Sequence, residues 1–467
     1  MNMQSMITEQ PITEALASFA ASLGHDDIPA EVRTRAHHTM LDAAGIALAS
    51  TRYPFAHPAL AGLQAFGDTG DVPVFGMAAK LTARDAATMN GFLCHGLDYD
   101  DTHIAGIVHA TCSLLPACFS AAAMTGATGR EMVTAYIIGV ETATRLGMCA
   151  RGAFHQAGFH PTGMIGIFGC VLAAGRLMGL NVKQLENAQG IAVSMASGSM
   201  EFLEDGASNK RFHPGWAASS ALTACALARE GFKGATKPYD GRFGLYNIYG
   251  GKFADWFDFS GIAAEFGTRW ELMNVAIKPF PTCHFTHASI DCALALRDRA
   301  PIDGIAKIEA WVPQQVHKTI CEPVANKRRP QNDYDAKFST HFLVGTALKH
   351  GRLGLAELEP EFLADKDVER LMDLTECHAY GDGPFPAAYS GKVRVTMTDG
   401  TVLEQDEPVN RGAADRPLSN AEIVAKYREN AAMWAGPDRV ARMEAAMLGL
   451  DGAESATGAL ATFSAAG

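Results

Sequence analysis

Residues 391–407 read GKVRVTMTDGTVLEQDE, and this stretch decides what kind of fold the chain makes. Val393, Val395 and Met397 alternate with polar residues, as one half-buried face of a strand requires. Asp399-Gly400 is a turn dipeptide, because glycine accepts the positive φ of a tight hairpin turn. Val402 and Leu403 then resume the strand. A β-hairpin here means that the chain is not helical throughout. Upstream, Ala306–Ile320 (AKIEAWVPQQVHKTI) also alternates. Pro313 has no N–H to give a ladder, so it either restricts this strand to a sheet edge or splits it. Between these strands, Lys337–His350 and Asp365–Leu374 carry helical spacing. The region reads as a small α+β unit.

Outward from it the text is helical. From about Pro11 to Phe266 apolar residues recur at three- and four-residue intervals, as in ITEALASFAASL and SSALTACALAREGF. Abundant alanine and glycine let such helices approach closely. The character changes after about Trp270. Beyond the hairpin, Ser419-x-x-Glu422 forms a capping box that opens the helical run Ala421–Trp434. A lone helix after an α+β insert packs most simply on the helical domain. The expected architecture is therefore mainly α, with a large all-helical domain built from both chain ends, residues 1–268 and 409–467. A smaller α+β domain, 269–408, is inserted between them. The last dozen residues are small and polar enough to be a loose tail.

The bulk numbers exclude several function classes. With 467 residues the chain can hold two domains, and 48% hydrophobic against 19% charged residues is ordinary for a folded protein. The formal net charge of -12 leaves no basic stripe for nucleic acid. An anionic substrate is still compatible, since charges beyond about 8 Å are screened at physiological salt and a local cluster of cations can hold it. The 10 cysteines run from Cys94 to Cys377 without a C-x-x-C pair, which argues against a disulfide framework, a zinc ribbon or an iron–sulfur cluster. Cys118, Cys170 and Cys225 sit in apolar helical text, where a reduced buried thiol is expected. The start of the chain lacks the pattern of a signal peptide. His160–Leu180, the most apolar stretch, holds five glycines and Arg176, and reads as a buried helix and not as a membrane span. A cytoplasmic protein without membrane partner is the expectation.

Four segments could carry chemistry. CHGLDYDDTHIAGIVHAT (94–111) packs Asp98, Asp100, Asp101, Thr102, His103 and His109 together. Carboxylates beside histidines favour the imidazolium and suit general acid–base work, although the same residues could simply cap a helix or form an Asx turn. The spacing matches neither a zinc helix nor a calcium loop. GFHPTGMIGIFG (158–169) places Pro161 at the first position of a helix after His160, where free N–H groups favour an anion; the plainer reading is a cap and close packing. SNKRFHPGWAA (208–218) brings Lys210, Arg211 and His213 together, enough to neutralise two or three carboxylates, or an ordinary basic turn. IKPFPTCHFTHASID (277–291) carries Lys278, Cys283, His284 and His287. His284 and His287 could share a helix face, and a His–Cys zinc site or a Cys283 nucleophile are minority readings.

These four segments, in this order, together with DAKFSTHFLVGTAL (335–348), resemble the MmgE/PrpD family over nearly the whole chain. The resemblance implies a helical domain from both chain ends, an inserted α+β lid domain, a homodimer, and an active site between the domains with neither metal nor organic cofactor. Family activities include dehydration of 2-methylcitrate, decarboxylation of cis-aconitate and epimerisation of iminodisuccinate. Carried over, the decarboxylase pattern puts an acid at Asp98, a hydroxyl at Thr102, histidines at His109 and His160, and lysines at Lys210 and Lys278. One insertion separates Thr102 from His109 relative to that pattern. Where it has a histidine five places after the second lysine, this chain has Cys283, with His284 one step on, which weighs against cis-aconitate decarboxylation.

All these reactions make or protonate a carbanion-like centre next to a carboxylate. They need a cationic clamp and an acid–base group with a pKa near the working pH. The expected roles are Lys210, Arg211, His213 and Lys278 on substrate carboxylates, with Thr102, Cys283 and His284 also binding substrate. His109 or His160 moves the proton and Asp98 orients a histidine. The expected activity is a cofactor-free lyase that dehydrates a citrate-like polycarboxylate, with an epimerase of a dicarboxylate or a cis-aconitate-type decarboxylase as the alternatives. A metal hydrolase and a non-catalytic carboxylate binder are the rivals from other classes.

Overall fold

The computed structural model describes residues 10–67, 69–263, 265–381 and 385–465. The reading of the first nine residues as lacking a signal peptide lies outside them. The chain is mainly α-helical, and it divides into two compact units. The larger comprises Met1–Met200, Asn209–Val275 and Ser419–Gly467, and the smaller comprises Glu201–Ser208 and Ala276–Leu418. The boundaries thus fall at Val275 and Ser419 where the sequence put them at 268 and 409. The short segment Glu201–Ser208, expected in the helical domain, goes with the smaller unit.

The larger unit is built on helices whose ends are written in the sequence. Thr128 and Glu131 form a capping box for Gly129–Ala150, and Ser419 and Glu422 form the expected one for Asn420–Ala432. Pro161 opens Pro161–Leu177 after His160. Leu114, Phe119, Tyr136, Ile167 and Phe168 are fully buried in one continuous core, each such side chain stabilising by about 1.5–3 kcal/mol. Glycines set two of the crossings. A Cβ on Gly215 would lie 2.2 Å from the Thr88 carbonyl, and one on Gly91 would lie 2.4 Å from the Gly215 Cα. Helices Ala83–Cys94 and Asn209–Arg229 therefore touch backbone to backbone. In the same way Gly169 meets the Gly139 carbonyl, at 2.6 Å from a built Cβ, and joins Pro161–Leu177 to Gly129–Ala150. Among the described residues, no helix is long and apolar enough to cross a membrane.

The chain end is not the loose tail expected from its composition. Ala456–Leu460 is helical, Leu460 and Phe463 are buried, and the Gly76 N–H bonds the Phe463 carbonyl at 2.7 Å. Two apolar side chains with a core to enter outweigh the small residues around them.

The smaller unit carries a four-stranded sheet in the order Thr375–Tyr380, Ile305–Pro313, Gly391–Met397, Val402–Glu407. Its first pair is parallel and the other two are antiparallel. The hairpin is as read, with Val395 opposite Leu403. Gly400 takes a φ of 87° at the turn. Of the two outcomes open to Ala306–Ile320 at Pro313, the structure shows the split. The strand stops at Pro313, which caps the helix Gln314–Cys321. Pro313 thus splits the segment, and its missing N–H is harmless at the strand's last position. Ile308, Val393 and Val395 form the buried side of the sheet with Ile290 and Phe342 from helices His287–Leu296 and Thr340–His350.

Candidate active site

In the larger unit, helix Ala83–Cys94 runs out into residues 95–110, and the carboxylates there separate to different partners. Asp98, in the left-handed region at φ 53°, places Oδ2 2.8 Å from Lys210 Nζ. Asparagine and aspartate tolerate that backbone better than other non-glycine residues. Asp100 takes His95, whose Nδ1 lies 2.8 and 2.9 Å from its two oxygens. Asp101 accepts from the Thr111 N–H at 3.2 Å and from the Thr111 hydroxyl. All three carboxylates are buried. Burial and the neighbouring Asp100 push Asp101 up to about 7, and burial also raises Asp42 to about 6 against the pull of Lys426.

His109 donates Nδ1–H to the Asp101 carbonyl at 2.8 Å, with the Thr102 hydroxyl at 3.0 Å from the same nitrogen. Its own N–H bonds the Thr162 hydroxyl at 3.1 Å, tying the segment to the helix that begins after His160. That helix start is fixed by the His160 N–H on the Gly198 carbonyl, 2.8 Å, and by Gly163 against the Ser197 carbonyl. The His160 side chain does not cap the helix. Its Nδ1 lies 3.0 Å from His213 Nδ1, so one ring donates and the other accepts.

The first turn of Asn209–Arg229 supplies Lys210, Arg211 and His213, all buried. Arg211 donates Nε–H to the Gly96 carbonyl at 2.7 Å and lies 4.3 Å above the Phe55 ring. The four rings form a cluster, with centroids 4.8 Å apart for His95 and His109, 5.7 Å for His95 and His160, and 5.2 Å for His160 and His213. Burial, then the positive charge of Lys210, holds His160 well below the usual imidazole range. Burial and then His95 and Lys210 bring His213 down to about 4. His155, likewise buried and facing Lys210, is also at about 4. These three are neutral rings at neutral pH.

Of the sequence candidates, Asp98, Thr102, His109, His160, Lys210, Arg211 and His213 all come together in this unit. The carboxylate that holds a histidine ring is Asp100, while Asp98 meets Lys210. His103, which shares the motif, turns to Glu271 at 3.2 Å. Burial would raise Glu271, but the hydrogen bonds from His103 and Asn274 bring it down to about 2. His95 and His155 were missed by the sequence reading. His95 lay inside the quoted motif, and its five-residue separation from Asp100 was the signal available.

Lys278, Cys283 and His284 lie in the smaller unit and are buried there. The Cys283 N–H bonds the Lys337 carbonyl at 3.0 Å, and the Asn410 amide donates to His284 Nε2 at 2.6 Å. His284 and His287 do share a face, with centroids 4.6 Å apart, and His287 Nε2 donates to the Thr282 carbonyl at 3.3 Å.

Among the described residues, three sets of side chains are close enough to hold a metal ion: His95, His109 and His160; His95, Asp100 and Cys112; and Glu309, Glu376 and His378. The ring nitrogens of the first set lie within 4.8 Å of one another. The Cys283–His284–His287 grouping is not among them.

Residues 14–256 match the model of the MmgE/PrpD N-terminal domain, and residues 280–451 match that of the C-terminal domain. The chain belongs to the MmgE/PrpD family. A cis-aconitate decarboxylase-like protein of Aspergillus oryzae is 26% identical over 466 residues, covering 95% of each chain. The cis-aconitate decarboxylase of Aspergillus terreus is 25% identical over 475 residues, 94% of this chain and 93% of its own. The 2-methylcitrate dehydratase of Escherichia coli K12 is 24% identical over 435 residues, 85% of each. These MmgE/PrpD relatives are enzymes with lyase names, and they differ in the bond that is broken.

Proposed function

We propose that this MmgE/PrpD protein is a lyase that acts on a small polycarboxylate, without a cofactor, by proton abstraction and elimination of water from a citrate-like acid. The observation that carries this reading is the buried Lys210–Asp98 pair, 2.8 Å apart, set among four histidine rings. A lysine so placed meets a substrate carboxylate and spreads the negative charge that develops on the adjacent carbon. Of the neutral pair His160 and His213, the ring that accepts at Nδ1 keeps its Nε2–H to give to an anion without an added charge. Thr102 holds the His109 ring in place, and a histidine of the cluster serves as the base. Arg211 is a further cation of the clamp, and Lys278, Cys283 and His284 enter as substrate-binding groups on the strength of the family likeness. Elimination then requires the abstracted proton, or one like it, to reach the departing hydroxyl.

A second reading, decarboxylation of a cis-aconitate-type acid, is favoured by the relatives that match over 93–95% of both chains. Cys283 at the expected histidine position weighs the other way. Both readings share the carbanion step, and the homodimer is part of the same proposal, checked by light scattering in solution.

Proton NMR in deuterium oxide with citrate, 2-methylcitrate and cis-aconitate separates them. Dehydration of citrate replaces its coupled methylene pattern with a vinyl and a methylene singlet, and dehydration of 2-methylcitrate collapses its methyl doublet to the singlet of a methyl on a double bond. Decarboxylation of cis-aconitate converts its vinyl signal to that of a dicarboxylate and releases carbon dioxide. An epimerase only exchanges the carbon-bound proton, which amino-dicarboxylates would reveal. The reading fails if all these acids stay unchanged and undeuterated. A metal hydrolase would lose activity in chelator; retained full activity ends that rival.

A further inference from the structure

We infer that His95, fixed by Asp100, is the group that takes up and returns the proton in this site, a role that neither the motif reading nor the family pattern carried over here assigns to it. The inference rests on the proposed carbanion reading and deepens it. His95 is fully buried, and both oxygens of Asp100 sit against its Nδ1, at 2.8 and 2.9 Å. That bond fixes the neutral tautomer with the proton on Nδ1 and the lone pair on Nε2. The Nε2 atom is buried and has no hydrogen-bond partner among the described residues, which is costly for an acceptor unless something is meant to meet it. A ring nitrogen of His95 lies within 4.8 Å of one from His109 and one from His160.

The other rings of the cluster have different environments. His109 Nδ1 faces a backbone carbonyl and a hydroxyl. These orient the ring and bring no charge to offset an imidazolium. His160 and His213 face each other and Lys210, and both are held neutral. A proton placed on His95 instead faces a carboxylate directly. Other groups also surround the pair. The Cys94 and Cys112 thiols and the Asp42 and Asp101 carboxyls face Asp100, and His109, His160 and His213 face His95. The thiols are held in their protonated form, so they add no charge.

The step balances without a further reagent. The His95 Nε2 lone pair forms the N–H bond as the substrate C–H bond breaks. The C–H electrons stay on the carbon and delocalise into its carboxylate. The imidazolium is paired with Asp100. In dehydration the electrons then form the double bond as the C–O bond breaks, and the proton on His95 leaves with the hydroxyl as water. In decarboxylation the C–C electrons remain on carbon as carbon dioxide departs, and a His95 that begins protonated supplies the proton that carbon receives.

The test uses the full-length protein, its active acid from the NMR screen, and the variants His95→Gln and Asp100→Asn. His95→Gln is expected to lower kcat by about 10²–10⁴-fold, the usual scale for removing a general acid–base group, with KM within threefold. In Asp100→Asn the imidazolium loses its carboxylate. For a reaction that needs neutral His95, the acid limb of kcat/KM should then move to lower pH, and kcat should fall. A merely structural pair would lower thermal stability and leave that limb in place. If His95→Gln does not fold, the Asp100→Asn limb decides. An unmoved limb, or wild-type kcat in a folded His95→Gln, overturns the inference while the carbanion reading stands. A wild-type protein inert toward every acid overturns the reading itself.

Discussion

The two histidine groups of this protein are built from similar residues in opposite surroundings. In the larger unit, His95, His109, His160 and His213 form a cluster with Lys210 facing His160 and His213, and Asp98 and Asp100 neutralise charge at hydrogen-bond distance. In the smaller unit, His284 and His287 meet an amide, a carbonyl and the edge of Tyr389. A ring backed by a carboxylate can hold a proton, whereas a ring backed by neutral dipoles is held in one orientation and one tautomer. On the proposed lyase reading, the first group moves the proton and the second recognises the substrate.

The largest expected effect comes from breaking the charge balance of the first group. Lys210→Ala should reduce kcat/KM by about a thousandfold and cost about 3–5 kcal/mol of stability, because Asp98 is left buried and uncompensated. The double variant Lys210→Ala/Asp98→Ala should regain most of that stability and none of the activity. Chemical denaturation beside a turnover assay checks both. If the double variant is as unstable as the single one, the pair is not the balance described.

Next is the crossing that carries Lys210. A methyl at Gly215 would press on the Thr88 carbonyl at 2.2 Å, and backbone cannot step aside as a side-chain end can. Gly215→Ala should cost about 3 kcal/mol, the upper part of the range for overpacking. It should lower activity more than it alters anything in the smaller unit, and its melting temperature and kcat provide the test.

A pH series sharpens the contrast further. His155 and His213 titrate at about 4 in the folded protein against 6.5 as the ordinary value. Between these values the unfolded chain binds more protons, so stability is lost as pH falls from 6.5 toward 4. Each ring contributes a slope of at most about 1.4 kcal/mol per pH unit. Asp101 and Asp42, raised to about 7 and about 6, act the other way, since the folded protein holds their protons longer. His155→Asn should therefore reduce the acid loss seen in denaturation curves at successive pH values. An unchanged slope would mean that His155 is not buried neutral.

The smallest effect tests the second group. His284→Ala should raise KM about tenfold, or 1.4 kcal/mol, with kcat within twofold, as expected for binding energy shared by ground and transition states. A large fall in kcat instead would erase the distinction between the two groups.

Much of the fold and part of the site were legible in the residues. The capping box at Ser419, the Asp399-Gly400 turn and the Pro161 helix start are local chemistry, settled within four residues of chain, and each formed as read. The 94–111, 158–169 and 208–218 segments named most of the first group because their histidines and lysine are dense in the text. Pro313 was recognised as a break without showing that a helix would follow it. The apolar residues of the chain end were outvoted by their small neighbours, and the buried position of Phe463 shows why composition misleads where a core is near.

What the sequence by itself determined is the mainly helical fold with its α+β insert, the family, and a chemical inventory of acids, imidazoles and cations. Periodicity, caps and turns act between near neighbours, so the text states them directly. Only the tertiary structure decided the pairings: Asp98 with Lys210 across 112 positions, His103 with Glu271 across 168, and His160 with His213 across 53. It also decided which rings are neutral, because burial and the distance to a single lysine exist only once helices Ala83–Cys94, Pro161–Leu177 and Asn209–Arg229 have packed. His95 shows the difference most plainly, an ordinary residue in the text that becomes a buried base candidate when the fold sets Asp100 against one side of its ring.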